Sequence, residues 1–256
     1  MIRSTYLLRR KPGTTRRDFQ RYWRDLHGPL VASHAATLGL LRCIQSHTIP
    51  DDAENGRMSG ARGPMEPPYD GVEDIWYAGR AEMIAGQRSA EGRRATQAIV
   101  EDERAFVDLP RSPLWLSHEL PQIDPPEDLI ATEAGPLIKT CFAIRQRPEL
   151  SVDQAQTYWR TEHAGLLGRI GSAGHIKRYV QVHRRDDEME ARLRAMRGTG
   201  VEPYIGLAEL WLERDGAGTP EIERGWQLAL DDERNFIDFA RSAMWYCTEH
   251  VVVDNR

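Results

Sequence analysis

Apolar side chains recur with helical spacing over residues 15–31, and the same pattern returns in the second half of the chain. Four of them fall on one predicted helix face, which should be buried; they are Phe19, Tyr22, Trp23 and Leu26. Thr14 or Thr15 can cap the start of this helix. Because Pro29 cannot donate a hydrogen bond inside a helix, we predict that the helix breaks or kinks just after His27.

The chain contains an internal repeat. An offset of 136 residues relates Tyr22 to Tyr158, and it holds without a gap from Ile2 to His47. The offset is 135 for the pair 68–77 and 203–212, and 130 for the pair 102–115 and 232–245. Chance does not produce such a series. We therefore predict three parts: a first repeat, 1–122; a proline- and acid-rich linker with little structure of its own, 123–135; and a second repeat, 136–256.

Each repeat has the predicted order strand, helix, strand, strand, helix, strand. In the first repeat the strands are 2–10, 41–48, 72–78 and 115–120, and the helices are 15–31, 81–88 and 93–108. This βαββαβ order is typical of a ferredoxin-like unit, whose antiparallel sheet carries helices on one face only. Two units can bury their bare faces together. We therefore predict an α+β fold, an intramolecular dimeric α+β barrel with approximate two-fold symmetry.

Two insertions, 50–68 and 185–203, separate the second and third strands of the repeats. The first is rich in Gly, Pro and Met, and we expect a solvated loop in preference to a flap. The second carries Met189, Leu193 and Met196 at helical spacing, which predicts a short helix. Either insertion could cover the mouth of a pocket.

Composition narrows the class of protein. The net charge of −5, with arginines interleaved among acids, argues against a nucleic-acid partner. No apolar run is long enough to span a membrane, so we expect a cytoplasmic protein without a membrane partner. Cys43, Cys141 and Cys247 show neither disulfide nor metal spacing and are predicted to be buried. Walker, GxSxG and GxGxxG motifs are absent, and we predict no cofactor and no metal site.

Polar side chains alternate along the second strand of each repeat. Tyr179, Gln181 and His183 share one strand face, and the matching row in the first repeat is Cys43, Gln45 and His47. Both faces of this sheet should be covered, so a polar row predicts a wet pocket. A hydrogen-bonded structural histidine is the alternative for His47 and His183.

A carboxylate stands at matched positions of the third strand. Asp74 and Glu209 each precede a tryptophan by two residues, Trp76 and Trp211, and therefore point to the same face as that indole. We expect this acid in the pocket, with a tryptophan either in the core or stacked on an aromatic ligand. An ion pair with Arg24 or Arg160 is the alternative for the acid.

The helix histidines, His27 and His163, complete a possible acid and base pair with these groups. Capping of a broken helix end is the alternative for them. Tyr22 and Tyr158 could stabilise an oxyanion or belong to the core. The motif DERxFxD, at 102–108 and 232–238, is assigned to the scaffold.

We predict one competent pocket and favour the second half, because it carries Tyr179, His183, Glu209 and His250 where the first has Cys43 and Leu120 at two of these positions. The predicted catalytic set is His163, His183, Glu209, Tyr158, Tyr179, His250, His27, His47 and Asp74. The predicted substrate-binding set is Trp211, Gln181, Arg160, Tyr22, Trp76 and Gln45.

Four stretches resemble the EthD family of dimeric α+β barrel proteins: YWRDLHGPL at 22–30, RYVQVH at 178–183, DERxFxD, and TEHVV at 248–252. The resemblance covers both halves, so the chain is identified as a tandem EthD protein. It implies a ferredoxin-like barrel with a pocket between sheet and helices in each unit. Relatives in the wider superfamily include isomerases, cyclases, dehydratases, cofactor-independent oxygenases and haem enzymes, so the fold does not fix the reaction.

We therefore predict a cofactor-independent acid–base enzyme, an isomerase, cyclase or lyase, acting on a small aromatic or lactone-like metabolite. The alternatives are a cofactor-independent monooxygenase and a non-catalytic small-molecule-binding pseudo-dimer, with haem binding as a third possibility. The predicted partner is a small-molecule substrate, and two chains could associate as a homodimer.

Overall fold

A computed structural model describes residues 1–171, 176–214 and 219–256. The first half comprises β1 Ile2–Leu8, α1 Arg16–Tyr22, a π-helical turn Trp23–His27, α2 Gly28–Ser33, α3 Ala35–Leu38, β2 Leu40–Thr48, α4 Asp52–Gly60, β3 Gly71–Tyr77, α5 Arg80–Arg88, α6 Ala90–Phe106, a 3-10 turn Leu109–Arg111 and β4 Leu114–Ile123. The second half comprises β5 Leu137–Ile144, α7 Val152–Tyr158, a π-helical turn Trp159–His163, α8 Ala164–Gly171, β6 Ile176–Arg184, α9 Glu188–Arg197, β7 Gly206–Glu213, α10 Pro220–Glu233, a 3-10 turn Phe239–Arg241 and β8 Ala243–Asp254.

The strands form one closed antiparallel barrel in the order β1-β3-β2-β8-β5-β7-β6-β4. This confirms the predicted barrel. Each half contributes four neighbouring strands in equivalent order, and hydrogen bonds between β2 and β8 and between β4 and β6 join the halves. Closure leaves no unpaired strand edge. No helix in the described ranges is long and apolar enough to cross a membrane.

The helix that begins each repeat runs on through a widened turn. Thr15 caps α1 by accepting a hydrogen bond from the backbone N–H of Asp18, as predicted. Of the two predicted outcomes, a break or a kink just after His27, the break is not formed, because the backbone passes through a π-helical turn and continues as α2. Proline is not the cause of this turn, since the second repeat has the same turn where Ala164 and Gly165 follow the histidine. Such π-turns are frequent at functional sites.

Apolar residues fill three regions: the inside of the barrel and the space beneath the helices of each half. Trp115, Trp245 and Leu207 belong to the barrel interior. Trp23 lies beneath the helices of the first half and Trp159 beneath those of the second. The expectation for Leu26 is wrong: its side chain is 58% exposed because the π-turn rotates it away from the sheet.

The two insertions cross over between the halves. Met58 and Met65 of the first insertion pack against the core of the second half, so the expected solvated loop is wrong. α9 of the second insertion buries Met189 and Leu193 in the core of the first half. The insertion of each half therefore covers part of the core of the other half.

Residues 123–135 are mostly irregular and are anchored to the barrel. Ala131 is fully buried and its N–H donates to Glu249 at 2.9 Å. Asp128 accepts a hydrogen bond from Arg42 at 2.6 Å. The segment is therefore held against the barrel.

Candidate functional site

The matched carboxylates, Asp74 and Glu209, lie inside the barrel. Arg3 donates to Asp74 at 2.8 Å and to both oxygens of Glu209 at 2.7 and 2.8 Å. Lys139 lies 2.7 Å from Glu209 and 3.0 Å from Glu249. The predicted placement of Asp74 and Glu209 beside the histidines is therefore wrong, because strand alternation sends them to the opposite face of the sheet. The alternative pairing with Arg24 is not formed either, since Arg24 pairs with Asp25.

The two acids have unequal surroundings. Burial raises the pKa of Asp74 to about 6, with the charge of Arg3 opposing the rise and that of Glu209 adding to it. Burial also acts against ionisation of Glu209, but Arg3 and Lys139 together lower its pKa to about 2. Trp76 and Trp211 accompany them as predicted, with Arg3 4.7 Å from the centre of the Trp76 ring and Lys139 4.8 Å from that of Trp211.

A different polar row faces the helices of the first half. Strand pairing sets Tyr6 on β1 opposite Glu73 on β3, Glu73 opposite Gln45 on β2, and Gln45 opposite His250 on β8. Gln45 donates to the backbone oxygen of Trp23 at 3.0 Å, which ties the π-turn to the sheet. The polar face predicted for the second strand is thus present. The acid of the third strand that lies beside it is Glu73.

Trp23 lies flat on this row. A β-carbon at Gly71 would stand 2.4 Å from the indole ring, so only glycine permits the approach. His47 stacks on the indole at 4.6 Å, and its Nε2 lies 3.1 Å from Gln45. Burial, with the nearby His250 and Arg24, holds the pKa of His47 well below its usual range. His47 is therefore neutral, which suits packing better than proton transfer at neutral pH.

The second half repeats this arrangement. Trp159 stacks on His183 at 4.5 Å, and His183 lies 2.9 Å from the side-chain oxygen of Gln181. Burial, with the charges of His118 and Arg160, lowers the pKa of His183 to about 3. A β-carbon at Gly206 would approach the Trp159 ring to 2.8 Å.

The helix histidines bind the first carboxylate of each DERxFxD motif, a motif that the sequence alone places in the scaffold. His27 Nδ1 lies 2.7 Å from Asp102, and the hydroxyl of Tyr22 donates to the same carboxylate at 2.8 Å. Because the helix continues past His27, this histidine does not cap a helix end. The signal for Asp102 was present in the sequence as the DERxFxD motif in both repeats.

The second half has the matching group. His163 Nδ1 lies 2.7 Å from Asp232, which also accepts a hydrogen bond from Tyr158 at 2.7 Å. The hydrogen bond from His163 is the main cause of a lowered pKa for Asp232.

The halves differ in the group that meets the indole N–H. Trp23 donates to Glu73 at 3.1 Å, whereas Trp159 donates to the hydroxyl of Tyr179 at 2.9 Å. Ala208 stands at the position matching Glu73. The indole is satisfied in both halves, but only the first half gains a buried carboxylate by it.

Glu73 also faces His27, whose Nε2 lies 3.8 Å from the carboxylate. Burial raises the pKa of Glu73 above 4.5, with Glu103 adding to the rise and His27 opposing it. Burial acts to lower the pKa of His27, but the Asp102 hydrogen bond and the charges of Glu73 and Glu103 outweigh it, so the pKa is raised. A buried acid and a buried base therefore stand side by side.

A small cavity of about 50 Å³ lies beside Glu73, between the sheet and the helices of the first half. Three buried polar atoms near it lack hydrogen-bond partners in the described part of the chain: the Tyr6 hydroxyl, Glu103 Oε2 and Arg197 Nε. Arg197 comes from α9 of the second half, donates to Glu103 at 2.5 Å and stands 5.1 Å from the Tyr6 ring.

The equivalent place in the second half is apolar. Phe142, Ala208 and Leu212 occupy the positions of Tyr6, Glu73 and Tyr77. The ion pair between the halves has a counterpart here: Arg62 of the first half binds Glu233 of the second with two hydrogen bonds of 2.7 Å. The buried polar groups therefore favour the first half, in contrast to the preference drawn from the sequence.

The set on which that preference relied is dispersed. Tyr179 and His183 remain beneath the helices of the second half, and Glu209 lies in the barrel. His250 belongs to the other half, where its ring lies 4.4 Å from that of His47. β8 belongs to the second repeat but pairs with β2 of the first, and this places His250 in the first half. A comparison of the repeats alone cannot show this.

No group of three or more His, Cys, Asp or Glu side chains is placed to hold a metal ion within 1–171, 176–214 and 219–256. The three cysteines are buried and unpaired, as predicted.

The sequence matches the family model described as EthD domain twice, over residues 11–110 and 147–240. Comparison with curated proteins finds no significant match. The chain is similar in fold to a proposed monooxygenase from Lactobacillus acidophilus NCFM, with 8% identity, a TM-score of 0.47 and coverage of 98% of this chain and 94% of the other. It is also similar to a proposed monooxygenase from Fusobacterium nucleatum subsp. nucleatum ATCC 25586 (6%, 0.48, 98% and 92%) and to a proposed chlorite dismutase (12%, 0.47, 96% and 94%). These similarities are too remote to bear on chemistry.

Proposed function

Because the chain belongs to the EthD family, whose domain it contains twice, we propose that it is a small-molecule enzyme whose working pocket lies in the first half. The observation that carries this proposal is the buried carboxylate of Glu73 at a cavity with unpaired polar atoms. Buried groups with shifted pKa values at a cavity are typical of catalytic sites. The reaction class that fits them is proton transfer.

Glu73 is the proposed general base and acid. Its raised pKa brings proton exchange closer to neutral pH, which favours a group that must both take and return a proton. In an isomerisation, the carboxylate takes a proton from one carbon of the substrate and returns it to another, so no oxidant or reductant is needed. Trp23 fixes the carboxylate by its hydrogen bond of 3.1 Å.

The unpaired donors suit the charge that develops in such a step. Proton removal next to a carbonyl leaves negative charge on the carbonyl oxygen, and preorganised donors stabilise it. The Tyr6 hydroxyl and Arg197 Nε are two such donors at the cavity. An isomerase, cyclase or lyase acting on a lactone or an enolisable ketone is therefore the activity that we propose.

His27 and Asp102 have a supporting role in this proposal. Asp102 is partly exposed and binds His27, and His27 lies next to Glu73. This order lets His27 exchange protons between the protein surface and the buried acid. In the second half, Asp232 and His163 are present, but Ala208 stands where the buried acid would be. We therefore assign no turnover to His163.

Other parts of the proposal rest on the sequence. We propose that each half is a ferredoxin-like unit, with the repeats at 1–122 and 136–256 joined by 123–135. A cytoplasmic location, action without a cofactor and association of two chains into a homodimer are proposed on the same basis.

Proton exchange tests the function directly. The protein is incubated in D2O with a panel of unsaturated lactones and enolisable ketones, and loss of the α-proton signal is followed by NMR. We expect exchange above the buffer rate for at least one compound, and a decrease of about 10²- to 10⁴-fold for Glu73→Gln, because a positioned general base contributes that much. Glu73 has no carboxylate counterpart in the second half, so Asp232→Asn, which alters the carboxylate bound to His163, is the control and should retain the rate. Equal loss from both variants, or full activity of Glu73→Gln, would exclude the proposed site. Ligand binding without any exchange would favour the non-catalytic binder.

A further inference from the structure

An open groove of about 410 Å³ adjoins the cavity at Glu73. Gln87 and Thr96 line both, so the groove and the cavity share a wall. The groove runs between α6 of the first half and α9 of the second, and residues from both helices line it. A molecule that reaches Glu73 by this side must pass the groove.

The groove is strongly cationic. Four arginines line it against one acid, Glu101; they are Arg88, Arg93, Arg104 and Arg192. Arg104 is paired with Glu101 at 2.9 Å. The other three have no carboxylate partner in the described part of the chain, although the protein as a whole carries a net charge of −5. A solvated helix surface on this acidic chain would be expected to interleave both signs.

Apolar side chains lie among these arginines. Val100, Met189 and Met196 line the groove, and Met196 is 41% exposed. An exposed methionine beside arginines that lack a carboxylate partner among the described residues offers an apolar surface and a charged one at the same place. Guanidinium groups bind carboxylates and phosphates with paired hydrogen bonds, and methionine adapts to varied apolar shapes.

The cavity and the groove differ in size, so each can hold a different part of the ligand. The inner cavity of about 50 Å³ admits about three water-sized groups, enough for a reacting carbonyl end. The groove holds the remainder. An anionic group at the inner end would meet the carboxylate of Glu73, and the one arginine there, Arg197, is already paired with Glu103. An anionic group at the outer end meets arginines that have no carboxylate partner within the described ranges.

We infer that the substrate is an organic acid with an apolar body, bound with its anionic group among the groove arginines and its reactive end at Glu73. This inference rests on the proposed function, because it uses the same cavity. It also explains why α9 crosses from the second half: that helix supplies one wall of the groove and the Arg197 donor of the cavity.

The chain contains its own reporter for this site. The indole N–H of Trp23 donates to Glu73, and that of Trp159 donates to Tyr179 in the other half. Their NMR signals therefore report separately on the two halves of one molecule. The probes are 4-phenylbutyrate and its neutral amide, 4-phenylbutyramide, which differ in charge and share the apolar body.

We expect 4-phenylbutyrate to shift the Trp23 signal, to leave that of Trp159 in place, and to bind at least 10-fold more tightly than the amide. Reversing two groove charges with Arg93→Glu and Arg192→Glu should remove this preference without weakening the amide. The control variant Arg17→Glu with Arg224→Glu has the same net charge and alters exposed arginines outside the groove. It should behave as the unmodified protein.

The possible failures are distinct. Equal affinities for the acid and the amide at Trp23 would overturn the anionic class and leave the proposed pocket intact. A shift confined to Trp159 would move the site to the second half and overturn both. If neither compound shifts Trp23, an apolar acid is excluded as the ligand class, and the exchange assay with Glu73→Gln still decides the proposed function.

Discussion

Replacing the two matched acids of the barrel should have unequal effects on stability. Glu209 accepts two hydrogen bonds from Arg3 and pairs with Lys139, all at 2.7 to 2.8 Å and fully buried. Removing one member of a buried ion pair costs about 3 to 5 kcal/mol. We expect the lower part of that range for Glu209→Gln, about 3 kcal/mol, because Arg3 keeps Asp74 and Lys139 keeps Glu249.

Asp74→Asn should be nearly neutral. Burial raises the pKa of Asp74 to about 6, above the ordinary value of 3.8. A carboxyl whose pKa is raised by folding loses stability on ionisation, so the protein becomes less stable as the pH rises from about 4 to about 6. Asparagine removes this ionisation and keeps the shape of the side chain. At pH 7.5 we therefore expect a loss of no more than about 1 kcal/mol, or a gain.

Thermal unfolding measured at pH 7.5 separates the two variants. A domain of this size loses about 2 to 4 °C in melting temperature per kcal/mol, so Glu209→Gln should melt about 6 to 12 °C lower and Asp74→Asn within about 4 °C of the unmodified protein. Repeating the measurement at pH 5 should make Asp74→Asn relatively less favourable, because the unmodified carboxyl is then neutral. Equal losses from both variants at pH 7.5 would refute the assignment of the higher pKa to Asp74.

Three further outcomes can be measured. Gly71→Ala should destabilise the protein by about 1 to 3 kcal/mol in chemical denaturation, because the added carbon overlaps the Trp23 ring, whereas Ala at the exposed Gly56 should have little effect. Arg197→Met leaves Glu103 buried without its ion pair and should destabilise by about 3 to 5 kcal/mol; a neutral result would contradict the buried pair. The His27 hydrogen bond lowers the pKa of Asp102 below 3.8, so its stabilisation is present above that pH and is lost as the pH falls. Asp102→Asn should therefore show a smaller decrease in melting temperature than the unmodified protein on acidification below pH 4.

Much of the fold could be predicted, because the repeat indicates two equivalent units and the periodicity of apolar residues indicates their strands and helices. The alternation along residues 41–48 identified the polar face of β2, and the spacing in residues 93–108 identified α6. The π-turn could not be predicted, since its sequence is compatible with an ordinary helix. Crossing of the insertions depends on contacts between distant segments, which periodicity does not record.

The candidate site was missed by a single residue. Asp74 was selected because it has a carboxylate at the matching position of the other repeat, and that symmetry belongs to the ion pairs of the barrel axis. Glu73, one position earlier, points to the other face and is matched by Ala208. The acids that the repeats share at this strand belong to the scaffold, whereas the carboxylate of the proposed pocket stands at a position where the repeats differ. The DERxFxD acids were undervalued because a local ion pair on a helix accounted for them equally well.

The crossing of α4 and α9 gives the second repeat a reason to persist. After a gene duplication, a copy that has lost its own chemistry is usually free to degenerate. Here one wall of the proposed pocket is encoded in the other copy, since Leu193 and Arg197 line its cavity. Selection on the proposed pocket would therefore act on both repeats, because the first half alone lacks the part of the cavity wall that α9 supplies.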